Sequence, residues 1–182
     1  MSIFCFESVA DTLADVWREG DWFRLDEKVK NHYFLKASFV AELQPKQIIE
    51  IGTRCGYSVA AFSLASPKSR FLCLDGALDH DSKECIEHWR NIVSKKSIDA
   101  QLIVVDSHKV QCLPPADFAH VDGDHSYGGA LQDLRLVSHV PAILADDCDN
   151  SNVLAAVNDF VKESGRSVRF IDDGLRKQGM IT

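Results

Sequence analysis

The stretch Gln47-Ile48-Ile49-Glu50-Ile51-Gly52-Thr53-Arg54-Cys55-Gly56-Tyr57-Ser58 decides how the rest of the chain is read. Ile48 to Ile51 is a short β-branched apolar run, the pattern of a strand buried on both faces of a parallel sheet. Gly52 and Gly56 permit a tight turn, and Tyr57 to Leu64 starts a helix. A strand, a glycine turn and a helix in succession bring bare backbone N–H groups close to a ligand at the strand's carboxyl end. Glu50 sits near that end with no apolar reason to be there. Taken alone, the stretch fits a ligand site and an ordinary turn with a half-exposed glutamate equally well.

Downstream, strands and helices alternate. Strand one covers 47–52, and its helix runs over about 57–66 and stops before Pro67. Strand two is Arg70 to Leu74, closed by Asp75-Gly76, and a helix over about 81–96 carries Ile86, Trp89, Ile92 and Val93 on one face. Strand three is Leu102 to Val105, ending in Asp106-Ser107; strand four is Asp117 to Val121, ending in Asp122-Gly123-Asp124. A helix with Leu131, Leu134 and Val137 in phase leads to strand five, Ala142 to Ala145, ending in Asp146-Asp147. Ser151 is the expected N-cap of the next helix, whose inward residues include Leu154, Val157, Phe160 and Val161 and which Gly165 closes. Strand six is Ser167 to Ile171, and after the turn at Asp172-Asp173-Gly174 the segment Met180-Ile181-Thr182 returns as a short antiparallel strand. The expected fold is α/β: a Rossmann-like, doubly wound, mostly parallel seven-stranded sheet with its last strand antiparallel.

Upstream, residues 1–44 carry helical periodicity and no strand signal. Val9, Leu13, Val16 and Trp17 recur at helical spacing before a break at Gly20-Asp21, where Trp22 and Phe23 form a pair of large rings. Phe34, Leu35, Phe39, Val40 and Leu43 make a second amphipathic helix, stopped by Pro45. Core packing is the simpler account of these aromatics; a lid over a small-molecule pocket is the alternative. The organisation expected is a single domain, 1–182, with a helical packing or lid segment at 1–44 and the core at 45–182.

Composition narrows the function classes. The chain has 182 residues, a formal charge of −7 and a pI near 5.4, which argues against a general nucleic-acid binder. No run of 18 apolar residues is present, so no membrane span is expected. Glu7, Asp11 and Asp15 stand where a secretory signal would be basic and then apolar. The six cysteines (Cys5, Cys55, Cys73, Cys85, Cys112 and Cys148) form no C-x-x-C pair, which points to a reduced, cytoplasmic protein without disulfides or zinc.

Acidic residues end five successive strands: Glu50, Asp75, Asp106, Asp122, and Asp146 with Asp147. Any one of them suits a turn or an N-cap. Five at one sheet edge instead suggest a ligand rich in hydroxyls and amino groups, a metal ion, or both, because crowded carboxylates repel one another unless satisfied.

These motifs resemble the class I S-adenosylmethionine-dependent methyltransferases, and within them small-molecule O-methyltransferases of the macrolide- and aminocoumarin-sugar type. The first motif is Glu50-Ile51-Gly52-Thr53-x-x-Gly56-Tyr57-Ser58; the second is Val121-Asp122-Gly123-Asp124-His125-Ser126-Tyr127, followed by Leu131 and Asp133-Leu134. The likeness runs from about Phe39 to Phe160. It implies a cofactor site with Gly52 and its neighbours Thr53, Gly56, Tyr57 and Ser58 beside the methionine portion and Glu50 supporting the loop. Asp75 would meet the ribose hydroxyls, and Asp106 with Ser107 the adenine edge. Asp122 would border the cofactor and, with Asp146 and Asp147, match the acidic ligands of members that bind Mg²⁺. Asp124 matches the residue taken as general base, with His125 beside it as the chemically plausible second choice; Asp124 is the preferred one. Arg54-Cys55 departs from the small residues usual in the first motif.

The reaction implied is methyl transfer to an oxygen of a small-molecule acceptor, with Mg²⁺ assisting. The short N-terminal segment suggests a small substrate or a pocket completed by a second subunit, and neither nucleic acid nor membrane is an expected partner. The alternative is a non-catalytic binding protein on the same fold. A nicotinamide oxidoreductase fits poorly, because the spacing is G-x-x-x-G and no substrate domain follows.

Overall fold

The computed structural model describes residues 4–21, 24–77 and 82–182, so the Trp22–Phe23 pair lies outside the described residues. Two helices come first, α1 (Phe6–Val16) and α2 (Glu27–Leu43). The Asp26 carboxylate caps α2 by accepting from the Lys28 and Val29 N–H groups, and Gln44, in a left-handed conformation ahead of Pro45, ends it. The alternating core follows: β1 (Gln47–Ile51), α3 (Tyr57–Ala65), β2 (Arg70–Asp75), α4 (Ser82–Lys96), β3 (Ala100–Val104), β4 (Phe118–Val121), α5 (Tyr127–Leu136), β5 (Ala142–Ala145), α6 (Ser151–Ser164), β6 (Val168–Asp172) and β7 (Lys177–Ile181).

The strands form one seven-stranded sheet in the order β3-β2-β1-β4-β5-β7-β6. Every pairing from β3 to β5 is parallel, and β7 runs antiparallel to both of its neighbours. This is the expected architecture. The chain winds outward from β1 to β3 and then returns to β4, so β1 and β4 flank the switch point where open α/β sheets bind ligands.

Strand alternation sorts β1 between two apolar layers. Ile48 joins the layer built by α1, α2, α3 and α4, with Val9, Ala37, Phe62 and Trp89; Ile49 and Ile51 join the α5–α6 layer with Leu134, Val157 and Phe160. By the same alternation Glu50 faces the first layer, as does His120, its register partner on β4.

Several strand ends differ from the sequence reading by one residue, and three differences have a plain physical reason. β3 begins at Ala100 and ends at Val104, because the ladder with β2 runs from Phe71↔Ala100 to Asp75↔Val104. It is an edge strand with Ile103 and Val104 exposed, so its apolar run did not mark its limits. The N-cap of α6 is Asn150, whose side chain accepts from the Asn152 N–H at 2.9 Å, in place of Ser151. β7 is longer than Met180 to Thr182, since pairing with β6 extends back to Lys177↔Asp172.

Gly52 is fixed by contact as well as by conformation. Its φ is +81°, and a Cβ there would fall 1.9 Å from the Asp122 carbonyl oxygen. The β1 loop therefore lies directly on the end of β4. Gly52→Ala should lower stability by about 2 kcal/mol or more, read as a shifted urea midpoint, through left-handed strain and the forced separation of the two loops. An unchanged midpoint would show that the two loops are not held in contact.

Candidate functional site

Glu50 is the foundation of the β1 loop. It is 0 % exposed, and its carboxylate accepts hydrogen bonds from Thr53 Oγ1 at 2.5 Å, from Ser58 Oγ and from His120 Nδ1 at 2.9 Å. Trp89 Nε1 donates to Thr53 Oγ1 at 3.1 Å and extends the network into α4. Burial alone would push this carboxyl up, but the His120 bond and the two hydroxyls hold it below the usual carboxylate range. Glu50 thus anchors the turn from beneath and forms no part of the cavity wall. Gly56 also lies off the cavity, heading α3; its φ of +86° and the Trp89 ring, 2.6 Å from where a Cβ would stand, both require glycine there.

Above this loop lies a cavity of about 950 Å³, the size of a nucleotide-cofactor site. It brings together Gly52, Thr53, Tyr57, Ser58, Asp75, Asp106, Ser107, Asp122, Asp124, His125, Asp146 and Asp147. Asp75 accepts from the Arg54 N–H at 2.7 Å and the Ala77 N–H at 2.8 Å. Each of its oxygens keeps a lone pair for a further donor. Asp106 caps the 3₁₀ turn Ser107–Lys109 by accepting from the His108 N–H, which lowers its pKa, and Ser107 Oγ donates to the buried Asp133 at 2.6 Å. The backbone thereby presents two carboxylates at neighbouring strand ends.

The N-terminal segment covers this loop. Arg54, strained at φ +43°, reaches Asp21 at 3.1 Å; Tyr57 donates to the same carboxylate at 2.8 Å and stacks on Trp17 with ring centres 4.2 Å apart. The departure at Arg54 is therefore an ion pair that ties the segment across the first motif.

At the ends of β4 and β5 acids and cations interleave. Lys36, 1 % exposed on α2, donates to Asp146 Oδ2, and its Nζ lies 3.7 Å from Asp122 Oδ2 and 5.4 Å from the centre of the Tyr33 ring. His32, one turn earlier, approaches Asp146 at 3.4 Å and Asp173 at 2.7 Å. His125 Nε2 stands 3.5 Å from Asp122 and 3.3 Å from Asp147, and Arg176 Nε meets the other oxygen of Asp147 at 3.0 Å. Burial opposes the charge on Asp146, yet Lys36 and His32 hold its pKa well below the ordinary value. Burial and the charges of Asp122 and Asp146 instead raise Asp147 to about 6. The Asp122 hydrogen bond lifts His125 to about 9 despite its partial burial.

Asp124 and His125 point to different neighbours. Asp124 accepts from the Ser126 N–H at 2.7 Å, and its Oδ2 occupies the place of a Cβ at Gly129, 2.1 Å from it, so the carboxylate folds over the start of α5. His125 is turned toward the acids at the ends of β4 and β5.

The expected Mg²⁺ set does not fit this arrangement. Asp146 and Asp122 share the Lys36 ammonium, and Asp147 is held by Arg176 and His125. Among the described residues, the ligand atoms close enough to share an ion are those of His120–Asp122–Asp146 and Asp122–His125–Asp147, and each group includes an imidazole. Mg²⁺ demands an octahedral shell of hard oxygens.

Sequence reasoning did not single out Lys36, His32 or Arg176. The signal for Lys36 was present: Val29, His32, Lys36 and Val40 form the buried stripe of α2, and a lysine in such a stripe must meet a buried acid.

A family model described as a methyltransferase domain matches residues 49–147, more than half of the chain. No curated protein matches the sequence significantly. Among solved structures, the chain is similar to the methyltransferase PaMTH1 of Podospora anserina bound to S-adenosylhomocysteine, with a TM-score of 0.65 and 14 % identity over 100 % of this chain and 88 % of that one. It is similar also to the O-methyltransferase TomG of Streptomyces achromogenes, involved in tomaymycin synthesis and solved with S-adenosylmethionine, with a TM-score of 0.62 and 14 % identity over 100 % and 90 % of the two chains. With the strand order, the glycine loop against β4 and the acidic strand ends, the match places this chain in the methyltransferase-domain family, on the class I S-adenosylmethionine-dependent fold.

Proposed function

We propose that the protein transfers a methyl group from S-adenosylmethionine to an oxygen of a small molecule. The observation that carries this reading is the convergence of Gly52, Asp75, Asp106 and the His125–Asp122–Asp147 group on one cavity. Asp75 would accept from the ribose hydroxyls and Asp106 from the adenine amino group, since ionised carboxylates only accept and both partners offer donors. Among the structural neighbours, TomG is described as an O-methyltransferase. Residues 1–182 would act as one domain, with the N-terminal helices closing the cavity at Trp17, Tyr33 and Lys36.

S-adenosylmethionine supplies the methyl carbon, its bond to sulfur breaking as the acceptor oxygen bonds to that carbon. The chain's part is orientation and removal of the hydroxyl proton. Asp124 and His125 both border the cavity; His125 is the base in this reading, because it is turned toward the acids at the ends of β4 and β5 while the Asp124 carboxylate lies over the start of α5. The Asp122 and Asp147 carboxylates stabilise imidazolium, so His125 takes up a proton readily and is a free base only at alkaline pH. Mg²⁺ is left out of the proposed reaction, because its expected ligands already hold cations.

His125 is raised from 6.5 to about 9, so its ion pairing with Asp122 and Asp147 contributes stability at lower pH and is lost as pH rises through about 9. Two-dimensional NMR should give an imidazole midpoint near 9 for His125, falling in Asp122→Asn; a midpoint at 6.5 in both proteins would contradict the pairing.

Activity is tested with methyl-labelled S-adenosylmethionine and a panel of phenols, catechols and sugar alcohols. Label should reach oxygen at a rate that rises toward alkaline pH, and His125→Asn should cut turnover by about 10²- to 10⁴-fold. Cofactor binding with no transfer to any acceptor would favour a non-catalytic binding protein instead.

A further inference from the structure

The side chain hardest to explain as packing is Lys36. Its helix buries Val29, His32, Lys36 and Val40 along one stripe, and a long, strongly hydrated ammonium is the least favourable occupant of such a stripe. What compensates it is specific: a hydrogen bond to Asp146, the Asp122 carboxylate at 3.7 Å, and the face of the Tyr33 ring. Asp122 and Asp146 are two of the three carboxylates that would otherwise coordinate a divalent cation.

We propose that the Lys36 ammonium takes the place of the divalent cation between Asp122 and Asp146, making this a metal-independent methyltransferase site. The proposal rests on the reading of the cavity as a methyltransferase site. A single positive charge fixed to a helix meets the acids from the side of α2. Arg176 and His125 pair with Asp147, so among the described residues each of the three carboxylates already has a cationic partner. The second oxygen of Asp146, Oδ1, is buried without a hydrogen-bond partner. A divalent ion placed there would lie across one carboxylate from the buried ammonium and be repelled by it, whereas a water or hydroxyl could satisfy the oxygen at no such cost. Lys36 is in this account a positioning residue: it holds the two carboxylates and neutralises them for the groups that border the cavity.

The test is electron paramagnetic resonance titration of Mn²⁺, a spectroscopic stand-in for Mg²⁺, into wild type, Lys36→Met and Lys36→Arg. Wild type and Lys36→Arg should bind no Mn²⁺ up to about 1 mM, a weak-site limit for oxygen ligands. Lys36→Met, which removes the permanent cation between Asp122 and Asp146, should bind at least about tenfold more tightly than wild type. Mn²⁺ binding by wild type that disappears in Asp122→Asn would overturn the proposal, as would a folded Lys36→Met that gains none. If Lys36→Met does not fold, the wild-type titration decides alone. Thermal stabilisation of wild type by S-adenosylhomocysteine is measured on the same samples. Its absence would count against the methyltransferase reading, while the Mn²⁺ result would still decide whether Lys36 excludes a metal.

Discussion

Carboxylates gathered at one edge of a parallel sheet must each be met by a donor or a cation, and most of this molecule's polar architecture answers that requirement. The acids come from the strand ends themselves and cannot move apart without breaking the sheet. The partners therefore arrive from elsewhere: hydroxyls and His120 for Glu50, backbone N–H groups for Asp75 and Asp106, Lys36 and His32 for Asp146, Arg176 and His125 for Asp147.

This explains the N-terminal helices better than hydrophobic burial does. α1 and α2 supply apolar residues to one layer of the core, yet α2 also delivers two basic side chains to the ends of β4 and β5. Taking a lysine out of water is unfavourable by several kcal/mol, and only a well-placed acid offsets it; removing one partner of such a pair typically costs about 3–5 kcal/mol. The ion pairs between α2 and the strand ends thus fix the position of the helix that closes the cavity. The same logic joins Asp21 to Arg54 and Tyr57, locking the cover to the first motif.

The sheet was legible because its signals are local. Short apolar runs followed by Gly or Asp marked β1, β2, β4 and β5, and the glycine spacing marked the loop that lies on β4. The β3 limits were obscured because an edge strand tolerates Gln101 and exposes Ile103. Glu50 was readable as out of place but not as buried: its direction follows from strand alternation together with His120 in register across the sheet, a pairing between residues seventy positions apart. Lys36 and Arg176 escaped for a related reason. Each lies far in sequence from the acid it serves, and periodicity shows that a charged residue shares a buried stripe without showing which carboxylate waits there. Asp124 and His125 are adjacent, and only the close approach of Asp124 to Gly129 separates their directions.

The central claim is that the acidic strand ends frame an S-adenosylmethionine site, and calorimetric titration of S-adenosylhomocysteine into wild type and Asp75→Asn tests it most directly. The account predicts binding by wild type and a loss of about tenfold or more in the variant, because an amide retains one acceptor oxygen but turns an N–H group toward the ribose hydroxyls. Absence of binding to wild type, or equal binding by both proteins, would contradict it.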